Sequence, residues 1–179
     1  MRYQTHMTGG LLIGVSSLNL VADKLNLNSD IASFEGMIFI TGAVIGSLFP
    51  DIDHRGSYLG RKAKITSTIT NALFGHRGIT HSPIVMGTFV FFLYLLSKLF
   101  IVTSPFIKLW FIGFFLGILS HIFLDMLTKG GVPLLLPFTK KRISLTKMKT
   151  GSMGEKLVMI IMVIVCGYLS LKNIMLLNF

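Results

Sequence analysis

Two aspartates and a histidine directly follow an apolar run in the stretch LFPDIDHRG, residues 48–56. They are Asp51, Asp53 and His54, and the apolar run covers residues 36–49. A carboxylate at membrane depth costs about 2.5–3.5 kcal/mol even on the mildest scale. Coordination to a divalent cation removes that cost, so the stretch predicts a metal-binding site. If the segment is extended, its alternation places both aspartates on one face, with the histidine opposite.

Two further pairs of possible ligands lie later in the chain. In HIFLD, His121 and Asp125 are four residues apart, which places both side chains on one face of a helix, where they can ligate one ion. In GHRGITHS, His76 and His81 lie on either side of Gly78, and a turn there would aim both rings inward. The three motifs together predict that distant parts of the chain meet at one metal centre.

Imidazole and carboxylate ligands together suit zinc, manganese or iron. We therefore expect a divalent transition metal as cofactor, zinc first, with one to three ions bound. Sites with two ions are typical of phosphoester hydrolysis, because the ions stabilise both the attacking and the leaving oxygen. The predicted metal ligands are Asp51, Asp53, His76, His81, His121 and Asp125.

Three other residues are predicted to take part in catalysis. His6 and His54 are candidates for an additional ligand or for a proton-transfer group. Arg77 is a candidate for contact with a substrate phosphate, or it simply adds to the basic charge of its loop.

Simpler interpretations of the motifs stay open. A histidine at the end of an apolar segment often just lies at the membrane interface. His121 and Asp125 can form a plain hydrogen-bonded pair on a helix, and Asp51 after Pro50 can cap the start of a helix. No single motif decides between these interpretations and a metal site, but the set favours metal.

Composition identifies the class of protein. Of the 179 residues, 52% are hydrophobic and 13% are charged, against about 25% charged in a typical soluble domain. We therefore predict one membrane-embedded domain over residues 1–179. The 17 Lys and Arg against 7 Asp and Glu indicate basic loops that face anionic lipid rather than nucleic-acid binding. The single cysteine, Cys166, lies in an apolar run and excludes a disulfide within the chain.

Five apolar segments must position these ligands. They are residues 7–22, 31–49, 83–103, 105–127 and 157–177. A membrane span needs about 20 apolar residues, a length that the first segment does not reach. The expected fold class is all-α, an integral membrane bundle of four or five transmembrane helices. The motifs fall within residues 6–138, and a last transmembrane helix falls within residues 155–179.

The basic residues orient these segments in the membrane. If Met1 is cytoplasmic and all five segments span, most of the 17 Lys and Arg residues fall on the cytoplasmic side, as the positive-inside rule requires. The same orientation, derived without the histidines, places all five histidines at cytoplasmic ends of segments. The active site is therefore predicted on the cytoplasmic side.

The motifs PDIDH, GHRGITHS and HIFLDMLTKGGVPLLLPF, taken together and in this order, resemble the YdjM-type family of inner-membrane metal-dependent hydrolases. The resemblance runs from about His6 to about Phe138. It implies a multi-pass protein of the bacterial plasma membrane with a metal site built from these histidines and aspartates. A looser likeness is to the pattern of zinc-dependent phospholipase C and S1/P1 nuclease, although a clear later H-x3-E pair is missing. That likeness would use His6, Asp51 or Asp53, His81, His121 and Asp125.

The function expected from these features is metal-dependent hydrolysis of a lipid-borne phosphoester at the cytoplasmic interface. Membrane lipids are the expected partners. Two alternatives stay open. A metal-ion transporter or sensor would hold its ligands near the bilayer midplane, and a non-catalytic protein would hold a structural metal in a closed site of four ligands.

Overall fold

Helices make up the regular structure of the protein in the computed structural model, which describes residues 1–26, 30–31, 33–54, 56–62, 64–65, 67–68, 78–100 and 104–176. In the described ranges, Phe49–Asp53 and Ile79–His81 form 3-10 helices. Among the described residues, extended pairing is limited to isolated bridges in the connection before the last helix. With bounds given within the described residues, the α-helices used below are α1 (Tyr3–Leu25), α2 (Phe34–Leu48), α3 (Tyr58–Lys62), α4 (Pro83–Phe100), α5 (Pro105–Met126) and α6 (Met153–Leu176).

Three segments of the described chain are long and apolar enough to cross a membrane. They are Phe34–Asp53, Pro105–Met126 and Met153–Asn173. A fourth apolar helix, Pro83–Leu99, is shorter. The outward faces of α4 and α6 expose large apolar side chains, among them Phe92 at 63% and Ile164 at 65%, as expected of surfaces that face lipid. The prediction of an all-α membrane bundle is confirmed. The first predicted segment lies within α1, which packs against α2, α5 and α6.

Direct backbone contact joins α2 to α5 at the centre of the bundle. A Cβ atom added at Gly46 would lie 2.0 Å from the carbonyl oxygen of Phe114, and one added at Gly117 would lie 2.0 Å from that of Ala43. Small residues let two helices approach this closely in a membrane. Each of these glycines has a second glycine one turn before it, Gly42 and Gly113.

The close approach of α2 and α5 determines where the polar motifs lie. It brings the end of α2, and with it the 3-10 helix Phe49–Asp53, beside the last turns of α5. The start of α4 packs on the same end of α5 through Met86, Ile118 and Ile122, which share one apolar cluster. The beginning of α1 reaches this end as well, so four elements meet there.

Candidate metal centre

Four donor atoms converge at this end of the bundle, and three separate elements supply them. They are Asp51 Oδ1, His81 Nε2, His121 Nε2 and Asp125 Oδ2. The His81 nitrogen lies 3.3 Å from the His121 nitrogen and 3.6 Å from the Asp125 oxygen. The Asp51 oxygen lies 3.7 Å from His121 Nε2 and 4.0 Å from His81 Nε2. Two ligands of a tetrahedral zinc ion are separated by about 3.3 Å, since each lies about 2.0–2.1 Å from the metal, so these separations are close to that value or slightly longer.

Hydrogen bonding determines which nitrogen of His121 faces the cluster. Its Nδ1 lies 2.7 Å from the carbonyl oxygen of Ser47. A carbonyl oxygen can only accept, so Nδ1 carries the proton and Nε2 presents its lone pair to the other donors. A second hydrogen bond of this kind orients most metal-binding histidines in proteins.

Asp53 and Thr80 orient His81 in the same way. The Thr80 hydroxyl donates to Asp53 Oδ2 over 2.5 Å, so its oxygen accepts from Nδ1 of His81, 3.0 Å away. The Asp53 carboxylate itself lies 3.5 Å from Nδ1. The Nε2 atom of His81 therefore also presents its lone pair, and two lone pairs facing each other at 3.3 Å repel unless a cation lies between them.

His6, from α1, adds a second group of donors with His121 and Asp125. Its ring stacks on that of His121, with ring centres 3.7 Å apart and planes 13° apart. Both ring nitrogens of His6 are buried, and neither makes a hydrogen bond within the described part of the chain. A buried polar atom without such a bond is costly, and a metal ion would satisfy Nε2.

Asp125 connects the two groups of donors through its two oxygens. Oδ1 lies 3.4 Å from Nε2 of His6, whereas Oδ2 lies on the side of His81. The Met1 amine also donates to Oδ1. A carboxylate with its oxygens turned to different donors can bridge two ions, as carboxylates do in sites of two metals. The residues present thus fit a transition-metal centre of one or two ions.

A cavity of about 350 Å³ lies against this cluster, and Asp51 and Asp125 form part of its lining. His54 lines the same cavity and is exposed. Asp51 is 19% exposed, whereas His81 and His121 are fully buried. Contact between the cluster and outside molecules is therefore possible through Asp51, because Asp125 is only 1% exposed.

The PDIDH segment is not extended, so its two aspartates do not share a face as they would in an extended segment. Residues Phe49–Asp53 form a 3-10 helix, because Pro50 has a backbone φ that suits the first turn of a helix. Side chains two residues apart in a helical turn point in different directions. Asp51 therefore faces the donor cluster, while Asp53 contacts the outer nitrogen of His81 and lies in neither donor group.

The structure thus brings together Asp51, His81, His121 and Asp125 of the predicted ligands, and it adds His6 beside them. His76 and Arg77 lie outside the described residues. Sequence reasoning did not identify Thr80 or the Ser47 carbonyl, and neither has a sequence signal. The glycine pairs of α2 and α5 did have a sequence signal, because each pair has the G-x3-G spacing that is typical of close helix packing in membranes.

Glu155 is another residue that sequence reasoning missed. It is 2% exposed and lies in the first turn of α6. Its carboxylate accepts hydrogen bonds from the Arg2 amide at 2.5 Å and the Thr5 hydroxyl at 2.8 Å, so it anchors the start of α1 and thereby positions His6. A single acid at the start of an otherwise apolar segment was the available signal.

Comparison with known proteins places the chain among bacterial membrane proteins. The family described as "YdjM inner membrane protein" matches residues 1–178. The chain is 36% identical over 128 residues to the uncharacterized protein YvsG of Bacillus subtilis, covering 70% of this chain and 74% of that protein. It is also 36% identical over 135 residues to the inner membrane protein YdjM of Escherichia coli, covering 72% of this chain and 64% of that protein, which is less than two thirds of its length. No solved structure matches the chain.

Proposed function

We propose that this chain, which belongs to the YdjM inner membrane protein family, is a membrane-embedded metal-dependent hydrolase. The observation that carries the proposal is the pair of overlapping donor groups, His6–His121–Asp125 and Asp51–His81–His121. Together they offer more donors than the four that one closed tetrahedral site needs. The names of its relatives mention no activity, so the proposal rests on the site.

Histidine and aspartate side chains would hold one ion between Asp51, His81, His121 and Asp125. His6 and the other oxygen of Asp125 would hold a second ion. Zinc is the first candidate, with manganese or iron as alternatives, because the donors are imidazoles and carboxylates. When bound, such ions supply Lewis acidity and a nucleophile at neutral pH.

The substrate class we propose is a lipid-borne phosphoester. The cluster lies at the end of the apolar helices α2 and α5, which is the depth of a lipid headgroup if these helices span the membrane. The cavity beside Asp51 and Asp125 would receive the headgroup. His54, which lines that cavity, would transfer a proton to or from the reacting group.

We place this end of the bundle on the cytoplasmic side of the plasma membrane. The basis is the positive-inside rule, applied to the basic connections that lie at this end. In the described part of the chain these include Arg61 and Lys62 after the first donor motif. They also include Lys140, Lys141 and Arg142 before α6.

A structural metal site is the second candidate function. One observation favours it, because Nε2 of His81 lies within 4.0 Å of a donor atom of each of Asp51, His121 and Asp125, and four ligands are enough for a closed tetrahedral site. In that case alanine at His121 would unfold the protein. In a hydrolase the same change would abolish activity and leave a folded protein with less metal.

The test is metal analysis of the full chain purified in detergent, using inductively coupled plasma mass spectrometry. Wild type is compared with His121→Ala and Asp125→Ala, and folding is checked by circular dichroism. We expect zinc or another transition metal in wild type and a large loss in both variants. His54→Ala is the matched control, because that residue lies in the cavity and in neither donor group, and it should keep its metal.

Hydrolysis is then assayed on phospholipids and isoprenoid phosphates, with release of phosphate or of the headgroup as the readout. Wild type should be active, and His121→Ala and His54→Ala should be inactive for different reasons, loss of metal and loss of proton transfer. Absence of metal from every sample, even after reconstitution with zinc or manganese, would overturn the proposal.

A further inference from the structure

The cavity beside the donor cluster is lined by both acidic and basic residues. The acidic part of the lining is called the floor here, and the basic part is called the walls. Asp51 and Asp125 belong to the floor, and two arginines, Arg2 and Arg61, line the walls. Both arginines are exposed, and within the described part of the chain neither forms an ion pair with a carboxylate. Two arginines without a carboxylate partner among the described residues therefore line the same cavity as the donor residues Asp51 and Asp125.

Both arginines are held in place through their backbones. The Arg2 amide donates to the buried Glu155 carboxylate, which ties the residue to α6. Arg61 belongs to α3, whose first turn is capped by Ser57, and the Ser57 hydroxyl donates to the Asp51 carbonyl over 2.6 Å. The wall that carries Arg61 is thus attached to the segment that carries a metal donor.

A stacked pair of tyrosines joins the two walls. The rings of Tyr3 and Tyr58 have centres 5.4 Å apart and planes 19° apart. Each tyrosine lies close in sequence to one of the arginines, Arg2 or Arg61, and both line the cavity. The stack holds the start of α1 against α3, so Arg2 and Arg61 stay on the lining of one cavity.

We propose that Arg2 and Arg61 form a binding site for the phosphate monoester group of the substrate. This inference deepens the proposed function and rests on it. Guanidinium groups bind phosphate oxygens in a bidentate manner. A monoester has three terminal oxygens, so it can contact the floor and both arginines at once, whereas a diester has only two. If a lipid carries the phosphate monoester, it corresponds to the headgroup of phosphatidic acid. If a soluble molecule carries it, the ligand is an ordinary phosphomonoester.

Isothermal titration calorimetry of the full chain in a maltoside detergent tests the inference. The probes are dihexanoyl phosphatidic acid, dihexanoyl phosphatidylcholine and inorganic phosphate, each with zinc-loaded and with chelator-treated protein. We expect phosphatidic acid to bind more tightly than phosphatidylcholine. Arg2→Ala and Arg61→Ala should each lower that affinity about tenfold, the effect of losing a hydrogen bond to a charged group.

Two further variants make the result specific. Arg2→Lys with Arg61→Lys keeps the charge but loses the bidentate geometry, and its affinity should be intermediate. Lys140→Ala with Lys141→Ala removes two positive charges, one more than either arginine variant, from exposed positions that do not line the cavity, and its affinity should still equal that of wild type.

The outcomes separate this inference from the proposed function. Equal binding of the two lipids, or an affinity unchanged in both alanine variants, would overturn the inference while metal content and hydrolysis could still be found. Failure of the proposed function would show as missing metal, whatever the arginines bind. Tighter binding of phosphatidic acid than of inorganic phosphate would identify a lipid as the source of the monoester, and equal binding would identify a soluble molecule.

Discussion

The Nε2 atoms of His81 and His121 face each other at 3.3 Å although the two residues are 40 positions apart in the chain. The outer nitrogen of each ring has its own partner, the Ser47 carbonyl for His121 and the Thr80 and Asp53 side chains for His81. This arrangement turns both lone pairs toward one point. It is the relationship expected of two histidines that share a metal ion.

Replacing Asp53 with asparagine should weaken metal binding without abolishing it. The Asp53 carboxylate orients His81 from outside the donor cluster, and changes to such partners typically lower metal affinity about 10–100-fold. The measurement is competition for zinc against a chromophoric chelator. Asp23→Asn, at an exposed acid in the last turns of α1, is the matched control and should have no effect. Complete loss of metal, as in His121→Ala, would instead make Asp53 a direct ligand.

Replacing His6 with alanine should remove one ion and leave the other. Its Nε2 lies 3.4 Å from Oδ1 of Asp125, whereas Nε2 of His81 lies 3.6 Å from Oδ2. Wild type should hold about two equivalents of metal, the number in a bridged site, and His6→Ala about one. Metal content per chain decides this. One equivalent in both proteins would show that the group around His6 binds no ion of its own.

Replacing Gly46 with alanine should destabilise the bundle and weaken metal binding together. An added Cβ would lie 2.0 Å from the Phe114 carbonyl oxygen, and overpacking of this kind typically costs about 1–3 kcal/mol. The next residue, Ser47, holds Nδ1 of His121, so a displaced α2 would also displace a metal donor. Thermal unfolding in detergent and zinc affinity are the two measurements.

Gly167→Ala is the matched control for Gly46→Ala. It lies in α6, where an added Cβ meets no atom within 4 Å. Alanine there should stabilise the helix by up to about 1 kcal/mol and leave zinc affinity unchanged. Equal effects of the two substitutions would contradict the view that contact between α2 and α5 positions the site.

Part of this molecule follows from the sequence by itself. The high apolar content and long apolar runs determine a helical membrane bundle, because helices satisfy their backbone groups within one segment. The spacing of His121 and Asp125 determines that they share a helix face. Helix formation and the shared face both depend only on local periodicity. The same runs place the polar motifs at segment ends.

Other features were decided by the tertiary structure. Whether Asp51 and Asp53 point the same way depends on the turn that Pro50 starts, and the turn separates them. Which histidine nitrogen faces the donors depends on partners from other elements, such as the Ser47 carbonyl. His6 joins the cluster only because α1 packs against α5 and Glu155 anchors its start. These are contacts between residues far apart in the chain, and local sequence patterns do not predict them.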